Sequence, residues 1–296
     1  MYYKYRNERK MDMKIGMIGL GIMGSAMCAN LAKKHDDTVY CYDVIAERMQ
    51  ISGAVPCSSG VDLAQKADIM ITMVPKSEHS LAVYEEILPV LCEGKICIDM
   101  STIDPEVSVA IAKKVQKTGA AFLDAPVVKS RPAAEAGTLG IYVGGDEKVY
   151  QTILPVLRYM GENIIYMGEN GNGLVMKICH NALVSQIQNG VNETVSLANA
   201  CGIDILTFAK AISYGGGQNF YLDSKKQALA DENYTTAFSI ENMNKDVHLC
   251  LKLAEGKGVA MPGEENAVRV YEQAVEEGLG GEDFCATFKV VRGKAR

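Results

Sequence analysis

Three polar residues in the segment GNGLVMKICHNALV have the types and the spacing for acid–base chemistry. Lys177, His180 and Asn181 are three and four residues apart, so on a helix they share one face. The residues around Lys177 are apolar, and a lysine is costly to bury on such a helix unless it has a task or a partner. A positioned amine can donate or accept a proton. In the alternative, Lys177 extends its charged end to solvent.

The turn GLGIMG has the glycine spacing of a dinucleotide-binding loop. It follows an apolar run and precedes a helical pattern, where the glycines allow a tight turn, approach of a pyrophosphate and close helix–sheet packing. The pyrophosphate would lie at the helix N-terminus, where free N–H groups favour anions. The candidate contacts in this turn are Gly19, Leu20, Gly21, Ile22, Met23 and Gly24.

Asp43, at the end of the next strand-like run, bears on which dinucleotide binds. A carboxylate here accepts hydrogen bonds from the ribose hydroxyls of NAD and repels the 2′-phosphate of NADP. Val44 cannot pair with that phosphate, whereas Arg48, a helical turn further along, could do so. NAD (NADH) is therefore predicted, with NADP less favoured. In the alternative, Asp43 only caps a loop.

The stretch DAPVVKSRP places Lys129 and Arg131 directly behind an apolar strand, although the chain has a net charge of −6. Such a basic pair is either solvated or part of a local site for a small anion. The residues alone leave both interpretations open.

The elements that must position these residues alternate between strand and helix over the first half of the chain. The apolar runs MKIGMIGL, ADIMITMVP and GKICIDMS are typical of parallel strands covered on both faces. Their alternation with helical patterns predicts an α/β domain with a Rossmann-type doubly wound sheet. The segments DTVYCYD, AAFLDAPV, GTLGIYVGG and ENIIYMG add further strands, to about residue 168.

After GENGNG the pattern is helical almost everywhere, beginning with one long helix from Leu174 to about Cys201. We therefore expect three parts. Residues 1–12 form a flexible tail, residues 13–170 the dinucleotide-binding domain, and residues 171–296 an all-α C-terminal domain for substrate binding and oligomerisation, linked by the long helix.

The composition excludes several classes of protein. With 48% hydrophobic and 22% charged residues the chain reads as a soluble enzyme, and its acidic balance argues against nucleic acid as a partner. No apolar run is long enough to span a membrane, and the charged start lacks a signal-peptide core. The nine cysteines show no C-x-x-C or zinc spacing, so we expect reduced, mostly buried thiols, a cytoplasmic location and no metal.

Five pieces in this order resemble the β-hydroxyacid dehydrogenase family, which includes 3-hydroxyisobutyrate dehydrogenase, tartronate semialdehyde reductase and sulfolactaldehyde reductase. They are GLGIMG, DMST, DAPV with AEAGTL, GNGLVMKICHN and FSIENMNKD. The resemblance runs from Met13 to the C-terminus. It implies an NAD-dependent oxidoreductase acting on CH–OH groups, which interconverts a small anionic aldehyde and its hydroxy acid.

The resemblance also implies roles for individual residues. Lys177 matches the family's catalytic lysine, the general acid/base, and Asn181 matches its substrate-orienting asparagine. Ser101 and Thr102 match the stretch beside the nicotinamide, and Lys245 matches a basic position near the active site. The remaining candidate contacts are Val74, Pro75, Thr102 and Lys245 for the cofactor and Lys129, Ser130, His180 and Lys245 for the substrate.

Two departures from the family bear on the substrate. Members usually have Ser-Gly-Gly or Ser-Gly-Ser after DAPV to hold a carboxylate, but this chain has Val128, Lys129 and Ser130. The first of the family's two helix asparagines is His180 here. In sulfolactaldehyde reductases a basic side chain likewise replaces the loop glycine, and a cation with added donors suits a three-oxygen sulfonate. We expect 3-sulfolactaldehyde as substrate, bound by Lys129 and Ser130, with Arg131 solvated.

Several alternatives stay open. The substrate could be a carboxylate semialdehyde or a 3-hydroxyisobutyrate-type acid. Imine reductases and non-catalytic dinucleotide-binding modules usually lack the helix lysine, and decarboxylases of sugar acid phosphates have longer helical domains. We also expect a homodimer or homotetramer, because the long helix is broadly apolar. The segment SYGGGQNFYLDSK is either a mobile loop that brings Gln218 or Asn219 to the substrate or a plain linker.

Overall fold

The structure, a computed structural model, describes residues 13–293. The predicted tail, residues 1–12, lies outside this range. The described residues form two compact units, one ending at Lys177 and the other beginning at Ile178. This limit lies seven residues beyond the expected boundary after residue 170, because the first turn of the long helix packs in the first unit, where Leu174 joins the core.

The first unit is built on one nine-stranded sheet. In chain order its strands are β1 Ile15–Ile18, β2 Val39–Tyr42, β3 Ala54–Pro56, β4 Ile69–Thr72, β5 Ile96–Asp99, β6 Ala121–Asp124, β7 Val127–Val128, β8 Leu139–Gly145 and β9 Gly161–Tyr166. Across the sheet they follow the order β3-β2-β1-β4-β5-β6-β8-β7, and β9 pairs with β8.

The strands from β3 to β6 are parallel, as the continuous apolar runs predict. On β4 the residues Ile69 and Ile71 pack in one core cluster, whereas Met70 between them packs in another, because side chains alternate between the two faces. The polarity changes at β8, which runs antiparallel to both β6 and β7. The Rossmann-type sheet is confirmed, with this antiparallel strand as an addition that apolarity does not reveal.

Helices cover the two faces of the sheet. They are α1 Ile22–Lys34, α2 Gly60–Lys66, α3 Ser77–Ile87, α4 Pro105–Gln116, α5 Arg131–Ala136 and α6 Glu147–Leu157, with short 3-10 helices at Ala46–Met49 and Leu88–Val90. Their starts follow local chemistry. Asp104 and Asp146 accept hydrogen bonds from first-turn amides of α4 and α6, as N-cap residues do.

The helix α7, Asn172–Ala200, confirms the long helix predicted from Leu174 to Cys201. From Ile178 onward the described residues contain helices and one isolated bridge between Ser239 and Asp283. The helices are α8 Ile205–Ile212, α9 Phe220–Ala230, α10 Ile240–Lys257, α11 Pro262–Glu276 and α12 Thr287–Arg292, with a 3-10 helix at Phe284–Ala286.

A stripe of buried polar residues runs along α7 within the second unit. Its members, three or four residues apart and at most 4% exposed, are Asn181, Ser185, Gln188 and Asn192. Each side chain bonds to another helix or its flanking turn, so the stripe fixes the rotation of α7 about its axis. The partners are Asp246, Glu264, the Phe284 carbonyl, Tyr271, Thr287 and Tyr221.

Candidate functional site

The glycine turn between β1 and α1 has the geometry of an anion-binding loop. Gly19 has φ 90°, and a side chain there would meet the Met73 carbonyl oxygen. A side chain at Gly24 would meet the Gly19 carbonyl oxygen, so this glycine permits close packing of α1. A Cβ on Gly21 would meet nothing within 4 Å. The open side of Gly21 and the first-turn N–H groups of α1 therefore fit a pyrophosphate.

Asp43 ties this turn to the end of β2. Its carboxylate is 6% exposed and accepts hydrogen bonds from the amides of Leu20 at 2.7 Å and Ile45 at 2.8 Å. The Nη1 atom of Arg48 lies 3.7 Å from Oδ1. Asp43 thus does cap the following turn, and it also presents negative charge where an acid at the end of the second strand meets a dinucleotide ribose.

A buried carboxylate that sequence reasoning missed organises the ends of β4 and β5. Asp99 is 1% exposed, and its Oδ1 accepts hydrogen bonds from the Thr72 hydroxyl at 2.9 Å and the Ser101 amide at 3.0 Å. The Ser101 hydroxyl accepts one from the Val74 amide at 2.9 Å. Burial raises the pKa of Asp99. The network brings together the turns that carry the candidate cofactor contacts Val74, Pro75 and Thr102.

Lys129 occupies a backbone conformation that suits glycine. Its φ of 73° lies in the left-handed region, which disfavours residues with a side chain. The Nζ atom donates to the Thr138 carbonyl oxygen at 2.7 Å and lies 3.3 Å from Oε1 of Glu162. The ammonium group is therefore engaged by β9 and by the residue before β8, although 38% of the side chain stays exposed.

The neighbours of Lys129 differ in what they present to the loop. Val128 belongs to β7 and packs its side chain over Gly140 of β8, so it does not replace the family's loop hydroxyl. Ser130 precedes α5 at the N-cap position without capping it by its side chain. Arg131 forms a 2.7 Å ion pair with Glu135 on exposed surface, which agrees with its expected solvation.

The helix α7 carries the candidate acid–base residue. Lys177 is 7% exposed, which argues against the alternative in which its charged end extends to solvent. His180 lies on the same helix and is half-buried. Burial is one of the conditions under which proteins use a lysine amine for proton transfer.

Asp246 brings two predicted site residues together in the second unit. This carboxylate on α10 is 2% exposed and accepts hydrogen bonds from Asn181 Nδ2 and Lys245 Nζ, both at 2.6 Å. The anion thereby fixes the plane of the Asn181 amide and holds the Lys245 ammonium group. Sequence reasoning missed this role of Asp246.

The glycine-rich segment before α9 has a local structural role. Asn219 is the N-cap of α9, since its Oδ1 accepts a hydrogen bond from the Leu222 amide at 2.8 Å, and its Nδ2 donates to the Gly217 carbonyl oxygen at 2.9 Å. Gln218 lies 3.5 Å from Asp223. Helix capping therefore accounts for the position of Asn219 without a substrate.

Three general features complete the description of residues 13–293. Within that range no group of three or more His, Cys, Asp or Glu side chains is placed to hold a metal ion, and no helix is both long and apolar enough to cross a membrane. All nine cysteines are free thiols, and most are buried. These thiols agree with the expectation of reduced, mostly buried cysteines.

Comparison with known families matches nearly the whole described chain. Residues 14–168 match the model described as the NAD binding domain of 6-phosphogluconate dehydrogenase. Residues 171–291 match the model described as NAD-binding of NADP-dependent 3-hydroxyisobutyrate dehydrogenase. The first match covers more than half of the chain, and the two meet where the sequence changes from α/β to helical.

Individual relatives agree with the family models. The rat mitochondrial 3-hydroxyisobutyrate dehydrogenase is 34% identical over 94% of this chain and 87% of its own length. The Arabidopsis thaliana glyoxylate/succinic semialdehyde reductase 1 is 31% identical over 95% and 99%. Among solved structures, the Mycobacterium tuberculosis 3-hydroxyisobutyrate dehydrogenase with L-serine has a TM-score of 0.89 at 27% identity, covering 96% of this chain and 100% of that one.

These matches agree with the glycine turn after β1 and with the all-helical second unit. The sequence resemblance and the expected fold class are both confirmed. The chain belongs to the β-hydroxyacid dehydrogenase family and is an NAD(P)-dependent oxidoreductase with hydroxyacid dehydrogenase or semialdehyde reductase activity.

Proposed function

We propose that this enzyme reversibly reduces a small, strongly anionic aldehyde with NADH, with 3-sulfolactaldehyde as the best candidate and 2,3-dihydroxypropane-1-sulfonate as its product. The observation that supports a sulfonate substrate is the backbone conformation of Lys129. A residue with a long cationic side chain holds the left-handed conformation directly behind β7, where the family usually has glycine. This conformation costs about 1–2 kcal/mol relative to a right-handed residue, and an exposed ion pair with Glu162 returns at most about 1 kcal/mol.

The proposed chemistry centres on Lys177. When bound, NADH would supply a hydride to the aldehyde carbon, and the residues of this chain would have to supply a proton to the carbonyl oxygen. The Lys177 ammonium group stabilises the developing charge on that oxygen and donates the proton, which gives the alcohol. In the oxidative direction the neutral amine accepts the proton of the hydroxyl group. Lys177 is largely shielded from bulk water, which strengthens its interaction with a charge that develops on the substrate oxygen.

The polar residues of the second unit orient the substrate in this proposal. Asn181 presents an amide whose plane Asp246 fixes, which is what a group that aligns a substrate oxygen requires. Lys245 adds positive charge that Asp246 partly neutralises. We assign His180 an auxiliary part in binding the anion. We assign Lys245 to both cofactor and substrate, as the family resemblance implies.

Lys129 and Ser130 would bind the sulfonate through one cation and one hydroxyl donor. For this, the Lys129 ammonium group exchanges its exposed contacts with Thr138 and Glu162 for the substrate anion. Those contacts lie at the surface, where an ion pair is weak, so the exchange is inexpensive. A sulfonate has three charged oxygens, one more than a carboxylate, so it can accept hydrogen bonds from both of these donors and from a third one.

A carboxylate semialdehyde is the second candidate substrate. The M. tuberculosis relative was solved with L-serine, whose acidic group is a carboxylate, and the rat relative is a 3-hydroxyisobutyrate dehydrogenase. In this alternative the loop backbone binds the carboxylate, and Lys129 stays on Thr138 and Glu162. A non-catalytic dinucleotide-binding module is disfavoured, because Lys177, Asn181 and Lys245 are all present.

The test of this proposal is the initial rate of NADH oxidation with 3-sulfolactaldehyde, tartronate semialdehyde and methylmalonate semialdehyde at equal concentrations. We expect kcat/KM to be highest for 3-sulfolactaldehyde, by about tenfold or more, because its third anionic oxygen permits one additional charge-assisted hydrogen bond, which contributes about 1.5–3 kcal/mol. A higher kcat/KM for either carboxylate would overturn the sulfonate assignment but keep the reductase. If NADH is not oxidised with any of the three aldehydes, the proposed reductase function is wrong.

We further propose that NAD is preferred over NADP because of Asp43. Replacing Asp43 by asparagine keeps one acceptor oxygen but removes the negative charge. The ratio of kcat/KM for NADH to that for NADPH should fall by about tenfold or more, as expected for hydrogen bonds that lose a charged partner. The exposed Glu47, changed to glutamine, is the matched control and should keep the wild-type ratio. An unchanged ratio in Asp43→Asn would show that Asp43 only caps its turn.

We also propose that the protein forms a homodimer or a homotetramer and is located in the cytoplasm. Leu183 and Leu197 lie four turns apart on α7 with 60% and 67% exposure, which leaves apolar surface for a second copy. The reduced thiols favour a reducing compartment. Light scattering of the purified protein measures the assembly directly, and a monomer at micromolar concentration would contradict it.

A further inference from the structure

We infer that Asp124 is a positioning residue for the reaction, because its buried carboxylate fixes the first turn of α7 and through it Lys177. This inference rests on the proposed role of Lys177. Asp124 ends β6 and is fully buried. Its Oδ1 accepts a hydrogen bond from the Gly171 amide at 2.7 Å, and its Oδ2 accepts one from the Leu174 amide at 3.0 Å.

The carboxylate performs the task that an N-cap side chain usually performs. The amides of the first helical turn have no partner within the helix, and a Ser, Asp or Asn at the N-cap normally accepts one of them. Gly171 precedes α7 and has no side chain to do so; its φ is 93°. Asp124, 47 residues earlier in the chain, accepts from Gly171 and also from the third residue of the helix.

Two glycines enclose the carboxylate so tightly that its position is set. A Cβ on Gly173 would lie 2.8 Å from Oδ2 of Asp124 and 2.6 Å from the Tyr142 carbonyl oxygen. A Cβ on Gly144 would lie 2.7 Å from Oδ1. Neither position has room for a side chain. Gly144 of β8 and Gly173 in the first turn of α7 therefore leave the space that the Asp124 carboxylate occupies.

Lys177 depends on the position of Asp124 through the geometry of the helix. It is three residues beyond Leu174, so the two side chains lie on neighbouring turns of one face, and Leu174 is itself 1% exposed in the core of the first unit. A carboxylate near the N-terminus of a helix is also favoured by the helix dipole. Burial raises the pKa of Asp124, whereas the hydrogen bonds from Gly171 and Leu174 lower it.

Replacing Asp124 by asparagine tests the inference. Asparagine has the same shape but a single acceptor oxygen, so the amide of either Gly171 or Leu174 faces an NH₂ group and the turn shifts. We expect kcat to fall by about a hundredfold, the size that a misplacement of about 1 Å produces. The affinity for NADH, measured by fluorescence titration, should stay within about twofold of the wild type, because the glycine turn is not touched.

Asp146→Asn is the matched control. The Asp146 carboxylate accepts hydrogen bonds from two first-turn amides of α6. Asparagine caps helices nearly as well as aspartate. This variant should keep the wild-type kcat. A purely structural role of Asp124 would lower the midpoint of thermal unfolding and leave kcat per folded enzyme within about threefold of the wild type, which would overturn the inference.

A second variant covers the case in which Asp124→Asn does not fold. Gly173→Ala keeps the charge but presses a methyl group against Oδ2 of Asp124 and the Tyr142 carbonyl oxygen. It should lower kcat with unchanged NADH affinity, and a wild-type kcat would overturn the inference. Lys177→Ala is measured beside it. An active Lys177→Ala variant would refute the proposed function itself, whereas active Asp124→Asn and Gly173→Ala variants beside an inactive Lys177→Ala variant refute only the role of Asp124.

Discussion

Replacement of Lys177 by alanine is expected to lower kcat for aldehyde reduction by about a thousandfold, within the range that general acid–base groups contribute. The alanine variant leaves the carbonyl oxygen without its proton donor and without the nearby cation. The glycine turn, Asp43 and the Asp99 network do not involve Lys177, so NADH should bind as it does to the wild type. Stopped-flow single-turnover rates and fluorescence titration of NADH measure the two quantities separately.

Lys210→Ala is the control for this prediction, because Lys210 is an exposed lysine in the last turn of α8. It should retain the wild-type kcat. Residual activity of Lys177→Ala within about tenfold of the wild type corresponds to less than about 1.4 kcal/mol of transition-state stabilisation, and would exclude Lys177 as the proton donor.

Replacement of Lys129 by glycine is expected to lower kcat/KM for 3-sulfolactaldehyde by about ten- to a hundredfold, since a hydrogen bond to a charged group contributes about 1.5–3 kcal/mol. Activity with tartronate semialdehyde should change far less. The thermal midpoint should change little, because the lost contacts of Lys129 with Thr138 and Glu162 are exposed and weak. Relief of the left-handed backbone at residue 129 is worth about 1–2 kcal/mol, against about 0.4–1 kcal/mol for the added freedom of glycine in the unfolded chain. Steady-state kinetics and calorimetry measure these effects.

Arg131→Ala provides the matched control, because Arg131 is a cation two residues away whose partner is Glu135. It should keep the wild-type ratio of kcat/KM between the sulfonate and the carboxylate. If the sulfonate preference survives in Lys129→Gly, Lys129 only decorates the loop. If Arg131→Ala loses the preference instead, the anion lies nearer to α5 than proposed.

The fold could be predicted largely from local patterns. Apolar runs located most strands because buried parallel strands have no polar face, and the long helix was placed within two residues at its N-terminal end. β3 was missed, since three residues ending in Pro56 carry too little signal. The direction of β8 could not be predicted either, because an antiparallel strand that is buried is as apolar as a parallel one. Only its pairing with β6 and β7 shows that it is antiparallel.

The candidate site, too, could be predicted only where the signal lies within one segment of the sequence. Spacing within one segment was enough to single out the glycine turn and the residues on α7. The buried carboxylates were not foreseen as organisers, because Asp124 and Asp246 accept hydrogen bonds from residues 47 and 65 positions away. Likewise, the sequence contains no local sign that Lys129 reaches Glu162, 33 residues further along. Asn219 was the reverse case, in which a local N-cap pattern was interpreted as a possible ligand contact.

The anchoring of the loop at residues 128–130 has a consequence for how such an enzyme changes its substrate. Before the loop, β7 is paired to β8. After it, α5 is held at its C-terminal end by Asn30 of α1, whose Nδ2 donates to the carbonyl oxygens of Ala134 at 2.8 Å and Glu135 at 3.2 Å. With both ends fixed to the framework, the residues between them can be exchanged while the framework keeps its shape. One or two substitutions in the loop can therefore change which acidic group of a substrate is bound, with little loss of protein stability.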